Sequence, residues 1–124
     1  MTRVLLILFL STFLSMTILA DDGTVAAINI QHKSHDNHFE LPVPADQPAV
    51  YLDIQAQQII IEGNGCASYY DVEITALSTF DVPISTRVNG NNAVIDISSL
   101  PNDDYVIDID TPMGNSFQGD FTIN

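Results

Sequence analysis

Hydrophobic and polar residues alternate with a period of two over most of the chain. Between Val25 and Ile30, the residues Ala26, Ile28 and Ile30 alternate with Ala27 and Asn29. Val50, Leu52 and Ile54 alternate with Tyr51 and Asp53, and a compact apolar run follows at Gln57 to Glu62 (QQIIIE). Tyr70, Val72, Ile74 and Ala76 alternate with Tyr69, Asp71, Glu73 and Thr75. Phe80, Val82, Ile84 and Val88 alternate with Asp81, Pro83, Ser85 and Arg87. Ile95 and Ile97 flank Asp96; Tyr105, Ile107 and Ile109 alternate with Asp104, Asp108 and Asp110; Phe117, Phe121 and Ile123 alternate with Gln118, Asp120 and Thr122. Alternation over about four to eight residues, with β-branched and aromatic side chains on one side, marks half-buried strands.

The punctuation fits strands as well. Gly63 and Gly65, Asn89-Gly90, Pro101 and Gly114 fall between the runs. Asn89-Gly90 predicts a type I′ hairpin turn, whose two central residues need positive φ. Pro83 lacks a backbone donor, which places its strand at a sheet edge. Seven or eight short strands separated by turns predict an all-β fold, a single antiparallel sandwich of immunoglobulin type. Tyr105, just after Leu100-Pro101-Asn102 and near the start of the penultimate strand, is positioned for a tyrosine corner. Residues 31–48, with three histidines and three prolines, are the least regular stretch and are expected to form a connection or a loosely attached edge.

The first twenty residues follow another pattern. Arg3 precedes an apolar run from Val4 to Leu10, which continues to Ala20 and stops at Asp21-Asp22. This is the layout of a secretory signal cut after Ala20, so the expected organisation is a signal peptide over 1–20 and a β-sandwich over 21–124. An uncleaved anchor is the alternative, since Val4 to Ala20 just reaches the lower limit of a membrane span. The Ser and Thr that dilute the run, and the lack of a following basic cluster, favour cleavage and a soluble domain in the periplasm or outside the cell.

Composition then narrows the partners. The chain has 124 residues, with 3 Lys and Arg against 16 Asp and Glu. Only Lys33 and Arg87 among the basic residues lie beyond position 20, with all of the acidic ones, so the domain carries a charge of −14. Such a surface repels phosphate backbones and anionic lipid, which excludes nucleic acid and membrane surfaces as expected partners. A domain of this length buries roughly 60–70% of its unfolded surface around one core. The lone cysteine, Cys66, excludes a disulfide framework.

A resemblance joins these observations. The order PAVYLDIQAQQIIIEG, YYDVEITAL, AVIDISSLPNDDYVIDID and FQGDFTIN resembles a family of small secreted proteins from gut bacteria, classed as a domain of unknown function. The similarity covers roughly two thirds of the chain and is carried by Leu100, Pro101, Tyr105, Gly119, Phe121 and Ile123. Asp103 stands where that family usually has glycine, and residues 31–46 match poorly. The resemblance implies an exported immunoglobulin-like sandwich and brings no catalytic residues with it.

Candidate chemistry is sparse. His32, His35 and His38 form an H-x₂-H-x₂-H run, and imidazoles are common metal ligands. On a strand, though, this spacing turns His35 away from the other two, so solvated loop residues are the plainer reading. Asp71 with Glu73, and Asp108 with Asp110, form i, i+2 pairs on outward strand faces, with Asp96 and Asp120 outward on other strands. A hard cation such as calcium could bridge neighbouring strands through these oxygens, against the plainer reading of a solubilising surface. Cys66 has no basic neighbour in sequence to activate it. Tyr51 and Tyr69 offer flat surfaces to a sugar or protein, or pack across strands. No phosphate loop, nucleophile elbow or H-E-x-x-H motif is present. The expected function is therefore non-enzymatic, without cofactor: an exported module binding a macromolecule or surface glycan, with a small divalent-metal module as the alternative.

Overall fold

The computed structural model describes residues 25–33 and 44–124. Nine strands stand among the described residues: β1 (Val25–Ile28), β2 (Gln31–Lys33), β3 (Ala49–Asp53), β4 (Gln58–Glu62), β5 (Tyr69–Ala76), β6 (Ile84–Asn89), β7 (Asn92–Asp96), β8 (Asp103–Asp110) and β9 (Ser116–Ile123). They build two antiparallel sheets, one of four strands in the order β1-β3-β4-β7 and one of five in the order β2-β9-β8-β5-β6. The architecture is an all-β immunoglobulin-like sandwich, as the alternation predicts.

Inward positions of the two sheets meet in one core. Tyr70, Tyr105, Phe117, Ile59, Ile61, Ile74, Ile107 and Ile109 are fully enclosed. Along β8 the apolar side chains Tyr105, Ile107 and Ile109 point inward, while Asp104 and Asp110 stay exposed. Burial of each such side chain contributes about 1.5–3 kcal/mol. The Tyr105 hydroxyl donates to the Pro101 carbonyl four residues upstream at 2.5 Å, which makes the predicted tyrosine corner.

Four sequence expectations are corrected. Among the described residues the strand count is nine because residues 25–33 form two strands in different sheets: β1 pairs with β3, and β2 pairs with β9. Ile28 and Ile30 both enter the core, and the chain crosses between the sheets at Asn29-Ile30. It passes closely over Gly119, where an added Cβ would lie 2.8 Å from Ile30 Cγ2 and 2.9 Å from Ile28 Cγ2. β2 takes the first three residues of the irregular stretch 31–48, at the edge of its sheet.

Secondly, Phe80 and Val82 are not strand residues. The β5–β6 hairpin closes with Phe80 N–H donating to the Ala76 carbonyl at 2.7 Å and Ala76 N–H to the Asp81 carbonyl at 2.9 Å. This turn holds Phe80 at φ 60° with its side chain 77% exposed. β6 starts at Ile84, immediately after Pro83, and is an edge strand, where a missing donor costs least. Thirdly, Ile54 does not share the buried face of Val50 and Leu52; it lies past the end of β3 and is 60% exposed.

The fourth correction concerns Asn89-Gly90, which makes no hairpin. β6 and β7 belong to different sheets, and Gly90 has no positive φ. Here the chain crosses from the five-stranded sheet to the four-stranded one, beside the opposite crossing from β4 to β5. Gly63 N–H donates to the Asn91 carbonyl, and Gly90 N–H to the Ser68 carbonyl at 3.1 Å. A Cβ on Gly63 would strike the Gly90 carbonyl, and one on Gly90 would strike the Ala67 carbonyl. Both glycines are required by this backbone-to-backbone approach.

Candidate functional site

The outward face of the five-stranded sheet gathers the predicted carboxylates. Register sets Asp71 opposite Asp110 and Glu73 opposite Asp108 across β5 and β8. Like charges directly opposite one another are destabilising, and polar neighbours answer most of them. Arg87 on β6 clasps Asp71 through Nε–Oδ1 at 2.7 Å and Nη2–Oδ2 at 3.0 Å, with its guanidinium 3.8 Å from the Tyr69 ring centroid. Lys33 Nζ and Gln118 Nε2 donate to Asp108 Oδ1 at 3.2 Å and 2.9 Å, and Ser116 Oγ donates to Asp110 Oδ1 at 2.6 Å. The Arg87 hydrogen bonds hold Asp71 below the ordinary 3.8. Asp120 is on this face opposite Val106, whereas Asp96 is on β7 in the other sheet. Among the described residues no group of three or more His, Cys, Asp or Glu is placed to hold a metal ion.

His32 is half-buried on β2, in register with Phe117, its ring tilted 45° at 5.5 Å between centroids. It packs on a core aromatic at the sheet edge. His35 and His38 lie outside the described residues. Cys66 is a free, exposed thiol in the β4–β5 crossing, with its N–H donated to Asn64 Oδ1 at 3.1 Å. Tyr69 is covered by Arg87, whereas among the described residues no cation covers the ring of Tyr51, the other outward tyrosine.

A buried polar cluster had no forerunner in the sequence pattern. Asp46 is fully enclosed; Thr111 Oγ1 donates to its Oδ2 at 2.5 Å and Asn115 Nδ2 to its Oδ1 at 2.9 Å. The Tyr70 hydroxyl donates to its backbone carbonyl at 3.4 Å. Burial first, then the charge of Asp46 and Cys66, pushes the Tyr70 hydroxyl above its ordinary 10.0. The cluster ties the segment before β3 to the β8–β9 turn. Its partners sit 65 and 69 residues downstream, and the short framing Pro44-Ala45-Asp46-Gln47-Pro48 was the only local hint.

The outward face of the four-stranded sheet differs in kind. Register aligns Ala27 with Tyr51, Tyr51 with Ile60, and Ile60 with Val94. An unbroken apolar row therefore runs from the β1 edge to the β7 edge, ending in Val94 at 57% exposure. The rows beside it are polar except at one residue each: Val25, Asp53, Gln58 and Asp96 on one side, Ala49, Glu62 and Asn92 on the other. Each sheet thus presents a distinct surface, one acidic and internally paired, the other apolar with an acidic margin. At the end of the sandwich, a cavity of about 310 Å³ opens between Leu52, Ile54, Ile97, Leu100 and Ile123.

No family model matches the chain, and no curated protein matches it. Among solved structures it is similar to a crystal structure of a DUF3244 family protein with an immunoglobulin-like β-sandwich fold from Bacteroides vulgatus. The TM-score is 0.64 at 14% identity, covering 81% of this chain and 99% of that one. That similarity is one of fold, and it accords with the gut-bacterial resemblance read from the strand motifs.

Proposed function

We propose that this protein is an exported, non-enzymatic β-sandwich whose work is to bind a macromolecule or surface glycan. The observation that carries this reading is the edge-to-edge apolar row Ala27–Tyr51–Ile60–Val94, flanked on both sides by mainly polar rows that hold Asp53, Asp96 and Glu62. Solvent-facing strand positions are ordinarily polar, and an aligned apolar row with a polar margin is what recognition surfaces present. Export is supported by the basic, apolar and small-residue succession through Ala20.

Affinity capture on the tagged full chain tests the binding reading, with envelope fractions and a glycan array offered side by side. A partner retained by the wild type and lost by Val94→Lys is expected. Equal recovery by both chains, or turnover of a substrate abolished by one side-chain change, would count against it. Cell fractionation with N-terminal sequencing tests export, with Asp21 expected as the first residue.

A further inference from the structure

Resting on the binding-module reading above, we propose that the outer face of the four-stranded sheet docks a cationic amphipathic polypeptide segment. Its chemistry is one line of apolar side chains flanked by Lys or Arg, as on one side of an amphipathic helix.

The geometry of the face sets these terms. Four strands spaced about 4.8 Å apart make an apolar row about 14 Å long, with side chains at nearly the pitch at which a helix repeats an apolar face. Asp53 and Asp96 border one flank of the row and Glu62 the other, about 7 Å away, within reach of flexible basic side chains. Asp53 Oδ1 accepts the Ala56 N–H at 3.0 Å and Asp96 Oδ1 the Ser98 N–H at 2.9 Å, and neither carboxylate is paired with a cation among the described residues. β1, β3, β4 and β7 contain no Lys or Arg. The two cations beyond residue 20, Lys33 and Arg87, sit on the other sheet, each against its own carboxylate. The apolar row thus lies in a negative field that its own sheet does not answer.

The same features exclude other occupants. A second copy would bring identical carboxylates against these. The face also offers only about 300 Å², where a stable protein–protein interface buries about 800 Å² on each partner. Phosphate backbones and anionic lipid are repelled.

The test uses the full chain and a fluorescein-labelled helical peptide of about 18 residues, with a leucine stripe flanked by lysines, read by fluorescence anisotropy. One control peptide carries Glu for every Lys; another has the same composition with leucines spread round the helix. The stripe peptide is expected to bind with a Kd of about 1–50 µM and both controls at least about tenfold more weakly, because apolar match and charge must coincide. Raising sodium chloride from about 50 to 300 mM is expected to weaken binding several-fold. Val94→Lys interrupts the row at an exposed position and is expected to cost at least about tenfold, with an unchanged circular dichroism melt. Glu73→Gln combined with Asp110→Asn, on the opposite sheet, is expected to change affinity less than about twofold.

Three results overturn the proposal: no binding of the stripe peptide, equal binding of either control, or binding that survives Val94→Lys but is lost with the opposite-sheet pair. If an array glycan is bound and Val94→Lys abolishes it while the stripe peptide fails, the peptide inference falls and the binding-module reading stands. If neither peptide nor glycan nor envelope component is held through this face, both fall.

Discussion

Thr111 donates its hydroxyl to the Asp46 carboxylate at 2.5 Å across 65 residues of chain, in a site where both residues are buried. Asn115 completes the clasp from the far side of the same turn. Removing the carboxylate strands the buried Thr111 hydroxyl and the half-buried Asn115 amide, together with the space it filled. Asp46→Ala is expected to lower unfolding free energy by about 2–3 kcal/mol, measured by urea denaturation. Thr111→Val, which removes one donor and leaves the carboxylate bonded to Asn115, is expected to cost about 1–2 kcal/mol.

At the paired crossings, Gly90→Ala places a methyl group against the Ala67 carbonyl. Backbone cannot swing aside as a side chain does, so the loss is expected to be about 3 kcal/mol, seen as a lower thermal midpoint. Gly119→Ala meets only the tips of Ile28 and Ile30 and the Asn29 carbonyl, and a smaller loss is expected.

The carboxylates of β5 and β8 oppose one another in register, and the chain carries a large negative charge. Glu73→Gln is expected to raise the melting temperature by about 1–3 °C, by relieving its repulsion with Asp108. Sodium chloride at moderate concentration is expected to stabilise the wild type, and the variant less. A melting temperature that fell on adding salt would contradict this account.

Acid has a defined direction. Asp71, Asp96 and Asp103 are held below the ordinary 3.8 by hydrogen bonds from Arg87, from Ser98 and from Ser78, respectively. A depressed folded-state value gives stability that is present above about pH 4 and lost as pH falls through the folded value. The urea midpoint is therefore expected to drop between pH 4 and pH 2, with a shallower drop in Arg87→Gln. On the alkaline side the raised Tyr70 value works oppositely: stability present below pH 10 is lost above it, and Tyr70→Phe is expected to lessen that loss.

Much of the sandwich was legible because alternation is a local property. Tyr70 to Ala76 and Tyr105 to Ile109 each declare their buried face within a few residues, and the tyrosine corner spans only Pro101 to Tyr105. What escaped depends on distant partners. Gln31–Lys33 shows no pattern of its own and becomes a strand through β9, some 85 residues away. Asn89-Gly90 carries the local preference of a hairpin, overridden because Gly90 must pass against Ala67. Ile60 was visible within a run of isoleucines, but only register shows that Ala27, Tyr51 and Val94 line up with it. The histidine run and the signal segment fall largely outside the described residues.

The paired crossings at Gly63 and Gly90 bear on how the chain reaches this structure. The β3–β4, β5–β6 and β8–β9 hairpins are local and can close within about 1–10 µs, while the other connections carry the chain from one sheet to the other. Gly63 meets Asn91 as β4 pairs with β7, and Gly90 meets Ser68 as β5 pairs with β6, so the close approach of Gly63 to Gly90 is complete only when both sheets are in place. That step closes long loops before it gains their contacts, so complete folding belongs to the slow regime of β-sandwiches, about milliseconds to seconds. Changes at Gly63 or Gly90 should accordingly speed unfolding more than they slow folding, and the crossings act as the latch that closes last.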